Sequence, residues 1–267
     1  MIETYITSRH NPRIKFFRLL HDRKTARREG IVLVEGVRLC NEAFLSGMIP
    51  RMLVYVKDRQ TLALEWSGRF AFPEDTEMLC VSEDIMEHTF MTVHPQGIAA
   101  VIEAPDFSRT LPFSENALYM VSDGISDPGN LGTIIRTADA FHFSAVILSD
   151  DTVDPFNEKA IRASMGSCFH VPIVLLDSIG EINLKIKGMG VQLIASRLDG
   201  DPIEDVQLSF PAALVVGNEA RGVSDELNKM CDLTVKIPMP GAAESLNAAS
   251  AFAILAYVLD QKRSESL

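Results

Sequence analysis

Two short polar loops, Gly217-Asn218-Glu219 and Glu244-Ser245-Leu246-Asn247, each place a Glu and an Asn just beyond an apolar run, Ala212 to Val216 and Leu233 to Ile237. Ligands of open α/β sheets gather at the carboxyl ends of strands, so two such loops in one domain point to a binding cleft. A third loop, Asp123 to Gly132, holds Gly124, Gly129 and Gly132 around Asn130 and is followed by Arg136. Glycines let backbone approach a ligand, a helix N-terminus offers unpaired N–H groups to an anion, and an arginine adds a bidentate donor for phosphate. Plainer readings exist for each: Ser245 or Asn247 can simply cap a helix, and Arg136 can be a solvated helix residue.

The elements that position these loops alternate along the chain. Hydrophobic periodicity and breakers predict a helix opening at Asn11-Pro12 and running through Leu20, with Ile14, Phe17 and Leu20 on its apolar side. Strands are expected at 31–36, 52–56, 78–81 and 99–103, with helices at 37–45, 60–68 and 82–89 between them. A second series begins with a strand at 117–122 and a helix from Asn130 to Phe141. Strands at 145–148, 169–174, 191–195, 212–216 and 233–237 follow, with helices at 157–164, 179–187 and 248–261. The aperiodic Pro- and Ser-containing stretch between the series predicts a linker at 106–116. The expected organisation is therefore a basic helical arm at 1–28, a small α/β domain at 29–105 and a larger α/β domain with a parallel sheet at 117–267.

The 267 residues are 47% hydrophobic, enough to bury two modest cores. No apolar run reaches the length of a membrane span, and the N-terminus lacks the apolar segment of a signal peptide, which predicts a cytoplasmic protein. Four scattered cysteines and six histidines show no ligand spacing, so neither a disulfide framework nor a metal site is expected. The formal charge of -11 opposes a polyanion partner, but its distribution does not. Residues 1–28 carry eight basic against two acidic side chains, among them Arg9, Arg13, Lys15, Arg27 and Arg28. This is either a local nucleic-acid contact or a solvated basic helix face. The glycines after Ser122 have the wrong spacing for a dinucleotide fingerprint, and neither a phosphate-binding P-loop nor a GxSxG elbow occurs.

Three blocks then resemble a known pattern. DGISDPGNLGTIIRTADAF, VVGNEARGVSDEL and IPMPGAAESLNAASAFAI are similar, in order, to the signatures of the SpoU-type (TrmH-like) RNA ribose 2′-O-methyltransferases of the SPOUT superfamily. VLVEGVRLCNEAF and HPQGIAAVI more loosely resemble the L30e-like substrate-binding domain of many members. The resemblance implies S-adenosyl-L-methionine as methyl donor, a ribose 2′-hydroxyl as acceptor, a C-terminal trefoil knot, and a homodimer whose active site uses both subunits. It puts catalytic roles on Asn130, Arg136, Glu219, Ser245 and Asn247. Cofactor contacts fall on Ala195, Gly217, Ile237, Met239 and Leu246, and an RNA-side segment on Lys159, Arg162, Ser164 and Gly166. His142 and Ala220 stand where glycine is common in the family, and neither change removes a functional side chain.

The extra N-terminal domain favours a structured target, so ribosomal RNA of the large subunit is expected ahead of transfer RNA. A non-catalytic RNA-binding or ribosome-assembly factor is the rival from another class. Housekeeping modification and drug resistance are not distinguished by the sequence.

Overall fold

The computed structural model describes residues 2–90, 95–105, 111–176 and 178–266. It divides into two compact units, Met1–Asp106 and Phe107–Leu267. The expected linker falls partly at 106–110, which lie outside the described residues, as does His94 of the HPQG stretch.

In the first unit, β1 (Ile2–Ile6), β2 (Ile31–Glu35), β3 (Pro50–Val56), β4 (Glu77–Val81) and β5 (Ile98–Glu103) form a five-stranded sheet in the order β1-β4-β3-β5-β2. All neighbours are parallel except those of β5, which runs antiparallel to β2 and β3. Its helices are α1 (Pro12–Leu20), α2 (Arg23–Arg28), α3 (Val37–Leu45), α4 (Gln60–Arg69) and α5 (Glu83–Thr89). Residues 1–28 are not a detached arm. The strand β1, which the sequence reading omitted, pairs with β4 from Ile2↔Glu77 to Ile6↔Val81. Ile14, Phe17 and Leu20 are buried in one cluster with Leu33, Val54 and Leu79. The apolar stripe that marks α1 as a helix thus also docks it on the sheet.

The second unit contains β6 (Leu118–Asp123), β7 (Ala145–Leu148), β8 (Ile173–Leu175), β9 (Gln192–Pro202), β10 (Ala212–Gly217) and β11 (Leu233–Lys236). They make a fully parallel six-stranded sheet, ordered β11-β9-β10-β6-β7-β8. Both faces are covered, as near-continuous burial along β6, β7 and β10 requires. The covering helices are α6 (Pro128–Ala140), α7 (Glu158–Ser164), α8 (Ile179–Gly188), α9 (Asp225–Met230) and α10 (Ala248–Glu265). Some local expectations shift. The strand expected at 169–174 shrinks to Ile173–Leu175 behind a 3₁₀ turn at Ser167–Phe169, the strand expected at 191–195 runs on to Pro202 as β9, and α9 occupies a stretch whose sequence reads as loop.

The last helix is fastened at its far end. Lys262 donates to the carbonyls of Glu204 and Val206 at 2.9 and 3.0 Å, and Arg263 donates to those of Phe141 and His142 at 3.1 and 3.4 Å.

Candidate active site

The central pair β10 and β6 are in register to their ends, Gly217 opposite Asp123, so the loops that leave them emerge side by side. Asn218 stitches the two together. Its Nδ2 donates to the Gly124 carbonyl at 2.8 Å, while its Oδ1 accepts from the backbone N–H groups of Ala220 and Arg221 at 2.9 and 3.2 Å. The return of this loop passes so close that a Cβ on Gly217 would meet backbone atoms of Gly222 and Val223 at 2.0 to 2.2 Å. Only glycine fits there.

Glu219 then reaches the start of α6. Its Oε2 accepts from Ser126 N–H and Oγ at 3.2 and 3.0 Å, and its Oε1 accepts from Asp127 N–H at 3.2 Å and Asn130 Nδ2 at 2.9 Å. Burial opposes ionisation of this carboxyl, but the donated hydrogen bonds, Asn130's foremost, outweigh it and hold its pKa below the ordinary value. Asn130 continues the connection, its Oδ1 accepting from Asn247 Nδ2 at 2.8 Å. Asn247 also caps α10, its Oδ1 accepting from Ala249 and Ser250 N–H at 3.0 and 3.3 Å. These partners fix both amide orientations: a carboxylate only accepts, and backbone N–H only donates. Asn247 is therefore both cap and link.

Beside this chain of contacts lies an open cleft of about 630 Å³. Gly217, Glu219, Ile237, Met239, Ser245, Leu246 and Asn247 line it, so two of the three sequence blocks meet there, and Asn130 ties in the third. Its size suits a small organic ligand, since such pockets span about 300–1,000 Å³. Apolar Ile237, Met239 and Leu246 next to bare backbone at Gly217 match what an adenosyl group needs: a flat ring sandwiched by apolar atoms with backbone hydrogen-bonding groups at its edge.

Other expected site residues lie elsewhere. Ala195 is fully buried in β9 and does not line the cleft, because the alternation of the strand points it into the core; the next residue, Ser196, does line it. Arg136 is exposed on α6 and is not among the residues lining the cleft of its own chain. Lys159 pairs with Asp127 at 2.7 Å, lowering the Asp127 pKa, and Arg162 pairs with Glu158 at 3.6 Å. In the first unit, Arg9 pairs with Asp84, Arg13 with Glu77 at 2.7 Å and Arg28 with Glu29 at 3.3 Å, whereas Lys15 and Arg27 are exposed.

Residues 117–257 match the SpoU rRNA Methylase family, and residues 11–100 match an MRM3-like substrate binding domain. The chain belongs to the SpoU rRNA methylase family. One relative in the family is the 23S rRNA (guanosine(2553)-2'-O)-methyltransferase RlmP of Bacillus subtilis, 38% identical over 258 residues, 95% of this chain and 98% of the relative. Another is the 23S rRNA (uridine(2479)-2'-O)-methyltransferase of Streptomyces viridochromogenes, 34% identical over 97% of this chain and 92% of the relative. The crystal structure of the SpoU methyltransferase AviRb from Streptomyces viridochromogenes, in complex with AdoMet, superposes with a TM-score of 0.85. It is 31% identical, and the match covers 96% of this chain and 99% of that one.

Within this SpoU fold the charged cleft residues Arg197, Asp199 and Lys236 carry no mark in the sequence blocks. A signal existed for the first two. In Ser196-Arg197-Leu198-Asp199-Gly200 a polar, Gly-ended stretch follows an apolar strand, and side chains two apart on an extended chain share a face.

Proposed function

We propose that this chain transfers a methyl group to a ribose 2′-hydroxyl of ribosomal RNA, with S-adenosyl-L-methionine as donor. The observation that carries the reading is the connection Glu219–Asn130–Asn247, which joins all three sequence blocks beside a cleft of the right size. Gly217, Ile237, Met239 and Leu246 are the residues to hold the cofactor, which when bound supplies an electrophilic methyl group on a sulfonium. The protein's task is placement, because displacement at that methyl needs the 2′-oxygen about 3 Å away and in line. Asn130, Glu219, Ser245 and Asn247 shape the loops that orient the ribose. Arg136 clamps the neighbouring phosphate and stabilises the developing alkoxide. A guanidinium is a charged donor with no lone pair to take up a proton, so the proton leaves to water held by Asn or Ser side chains or to solvent.

Arg136 does not line its own chain's cleft, so the reading includes a homodimer in which a second copy supplies this arginine. In support, Ile254 and Tyr257 stand three apart on one face of α10 with 41% and 54% of their surface exposed. A trefoil knot belongs to the same reading. It is supported by the loops at 218–223 and 237–247 lining one cleft while α10, which follows the second, packs back on α6. Lys15, Arg27, Lys159 and Arg162 are the proposed RNA contacts, and the cytoplasm is the place of action. Among the described residues no helix is long and apolar enough to cross a membrane.

The test is a map of 2′-O-methylation across ribosomal and transfer RNA from cells with and without the gene. Loss of one ribosomal mark is expected. Loss confined to transfer RNA would replace the substrate. No loss anywhere, with adenosyl ligand still bound by the purified protein, would favour a non-catalytic RNA-binding factor.

A further inference from the structure

The ladder between β9 and β11 skips at one step. Leu233 and Thr234 face Ile194 and Ala195, yet the next residue, Val235, faces Asp201. The segment from Ser196 to Gly200 therefore leaves the ladder as a bulge, and its first four side chains line the cleft. Gly200 allows the chain to return, since a Cβ there would lie 2.7 Å from backbone atoms of Thr234 and Val235. Bulges beside binding sites commonly re-aim side chains.

What this bulge delivers is charge. Arg197 donates through Nε and one terminal nitrogen to the two carboxylate oxygens of Asp199 at 2.9 and 3.2 Å, and its other terminal nitrogen points at the Val223 carbonyl at 3.4 Å. The arginine is thus braced, while 69% of the Asp199 side chain stays exposed. Each carboxylate oxygen keeps a lone pair for a further donor. Lys236, half-buried at the end of β11, lines the same cleft. Hydrogen bonding from Arg197 first, and the charge of Lys236 last, hold the Asp199 carboxyl ionised below its ordinary range.

We propose that Asp199 and Lys236 bind the zwitterionic amino-acid group of an S-adenosyl ligand, Asp199 accepting from the α-ammonium and Lys236 donating to the α-carboxylate. Arg197 is the positioning residue. The inference rests on the methyl-donor reading given above and adds the part of the cleft that recognises the donor's tail. A zwitterion needs one acceptor and one donor, and the other charged side chains of the cleft are engaged. Glu219 already accepts four hydrogen bonds, and Arg221 is turned to Asp151 at 3.4 Å. Ile237, Met239 and Leu246 offer neither charge.

The test compares two probes by calorimetry on the full-length protein: S-adenosylhomocysteine, and 5′-methylthioadenosine, which keeps the adenosine and thioether but lacks the amino-acid group. Wild type is expected to favour the former by about tenfold or more, as hydrogen bonds to charged groups allow. Asp199→Asn and Lys236→Met should each weaken S-adenosylhomocysteine about tenfold and leave methylthioadenosine unchanged, which also reports an intact adenosine site. If the ratio of the two affinities stays at the wild-type value in both variants, or both probes weaken together, the tail-binding assignment is wrong. Should the wild type bind neither probe, the methyl-donor reading fails along with it.

Discussion

Asn247 donates through Nδ2 to Oδ1 of Asn130 at 2.8 Å, linking side chains 117 residues apart, while Asn130 in turn donates to Glu219 at 2.9 Å. One amide therefore sees both of the loops that line the cleft. Asn130→Ala removes a donor and an acceptor at once and leaves Glu219 one partner short. The expected result is a fall in kcat of about 10²–10³, the range seen when one oriented hydrogen bond at a reacting centre is lost. Affinity for S-adenosylhomocysteine should change much less. Single-turnover methylation and calorimetry separate the two; an equal loss in both would make Asn130 a cofactor residue.

The Glu219 carboxyl is held below its usual pKa, so the unfolded chain binds its proton more readily than the native one. Its contribution to stability is then fully present above the ordinary glutamate value of about 4.3 and is lost as pH falls through the depressed native value. Thermal unfolding followed from pH 7 to pH 3 should show wild type and Glu219→Gln converging at the acid end. Parallel curves would mean that the charge of Glu219 plays no part.

Gly217→Ala would drive a Cβ into backbone atoms of Gly222 and Val223 at 2.0 to 2.2 Å, whereas Gly241, on the other cleft loop, has nothing within 4 Å. Overpacking that only backbone movement can relieve costs about 1–3 kcal/mol. Gly217→Ala should lose the cofactor and several degrees of Tm, and Gly241→Ala neither. Differential scanning calorimetry with and without S-adenosylhomocysteine reads both effects.

Arg136→Lys keeps the charge and removes the planar fork, so a bidentate phosphate clamp predicts a drop in turnover of at least about tenfold. Near-full activity of this variant would rule that clamp out. Arg136→Ala mixed with Glu219→Ala should regain activity that neither has alone, because a mixed dimer then holds one complete site built from two copies. No regain would keep the site within one chain.

Deleting residues 1–28 is not a clean test of RNA binding, for it takes β1 from the sheet and Ile14, Phe17 and Leu20 from the core. Lys15→Glu with Arg27→Glu leaves both in place. RNA affinity should fall and its salt dependence flatten by about one unit per lost phosphate contact, with cofactor affinity untouched. Filter binding across a salt series measures this.

Much of the second unit was legible because buried parallel strands are short apolar runs stopped by Gly, Pro or Asn, as at Ala212 to Gly217. Glu219 and Asn247 drew attention for the same reason, in loops that follow such runs, whereas the three blocks as a set, and the role of Asn130, were implied by the resemblance to the SpoU-type family. β1 was not legible, since Ile2 to Ile6 carries polar residues on an edge strand and gains its place only by pairing with β4. Nor was the bulge at Ser196 to Gly200, because a skipped register is a property of two strands and no single segment encodes it. Arg136 shows a related limit. Its type and its place on a helix are local facts, while the cleft we propose it serves belongs to a second copy.

The fastening of α10 by Lys262 and Arg263 carries a consequence for biosynthesis. Leu246, Asn247, Ala248 and Ala251, which complete the cleft wall, lie at the other end of that helix, so the docking of its final turn helps to hold them in place. A nascent chain still threaded through the exit tunnel up to that turn lacks the clasp. In such a chain the cleft wall that the first turn of α10 begins lacks that part of its support.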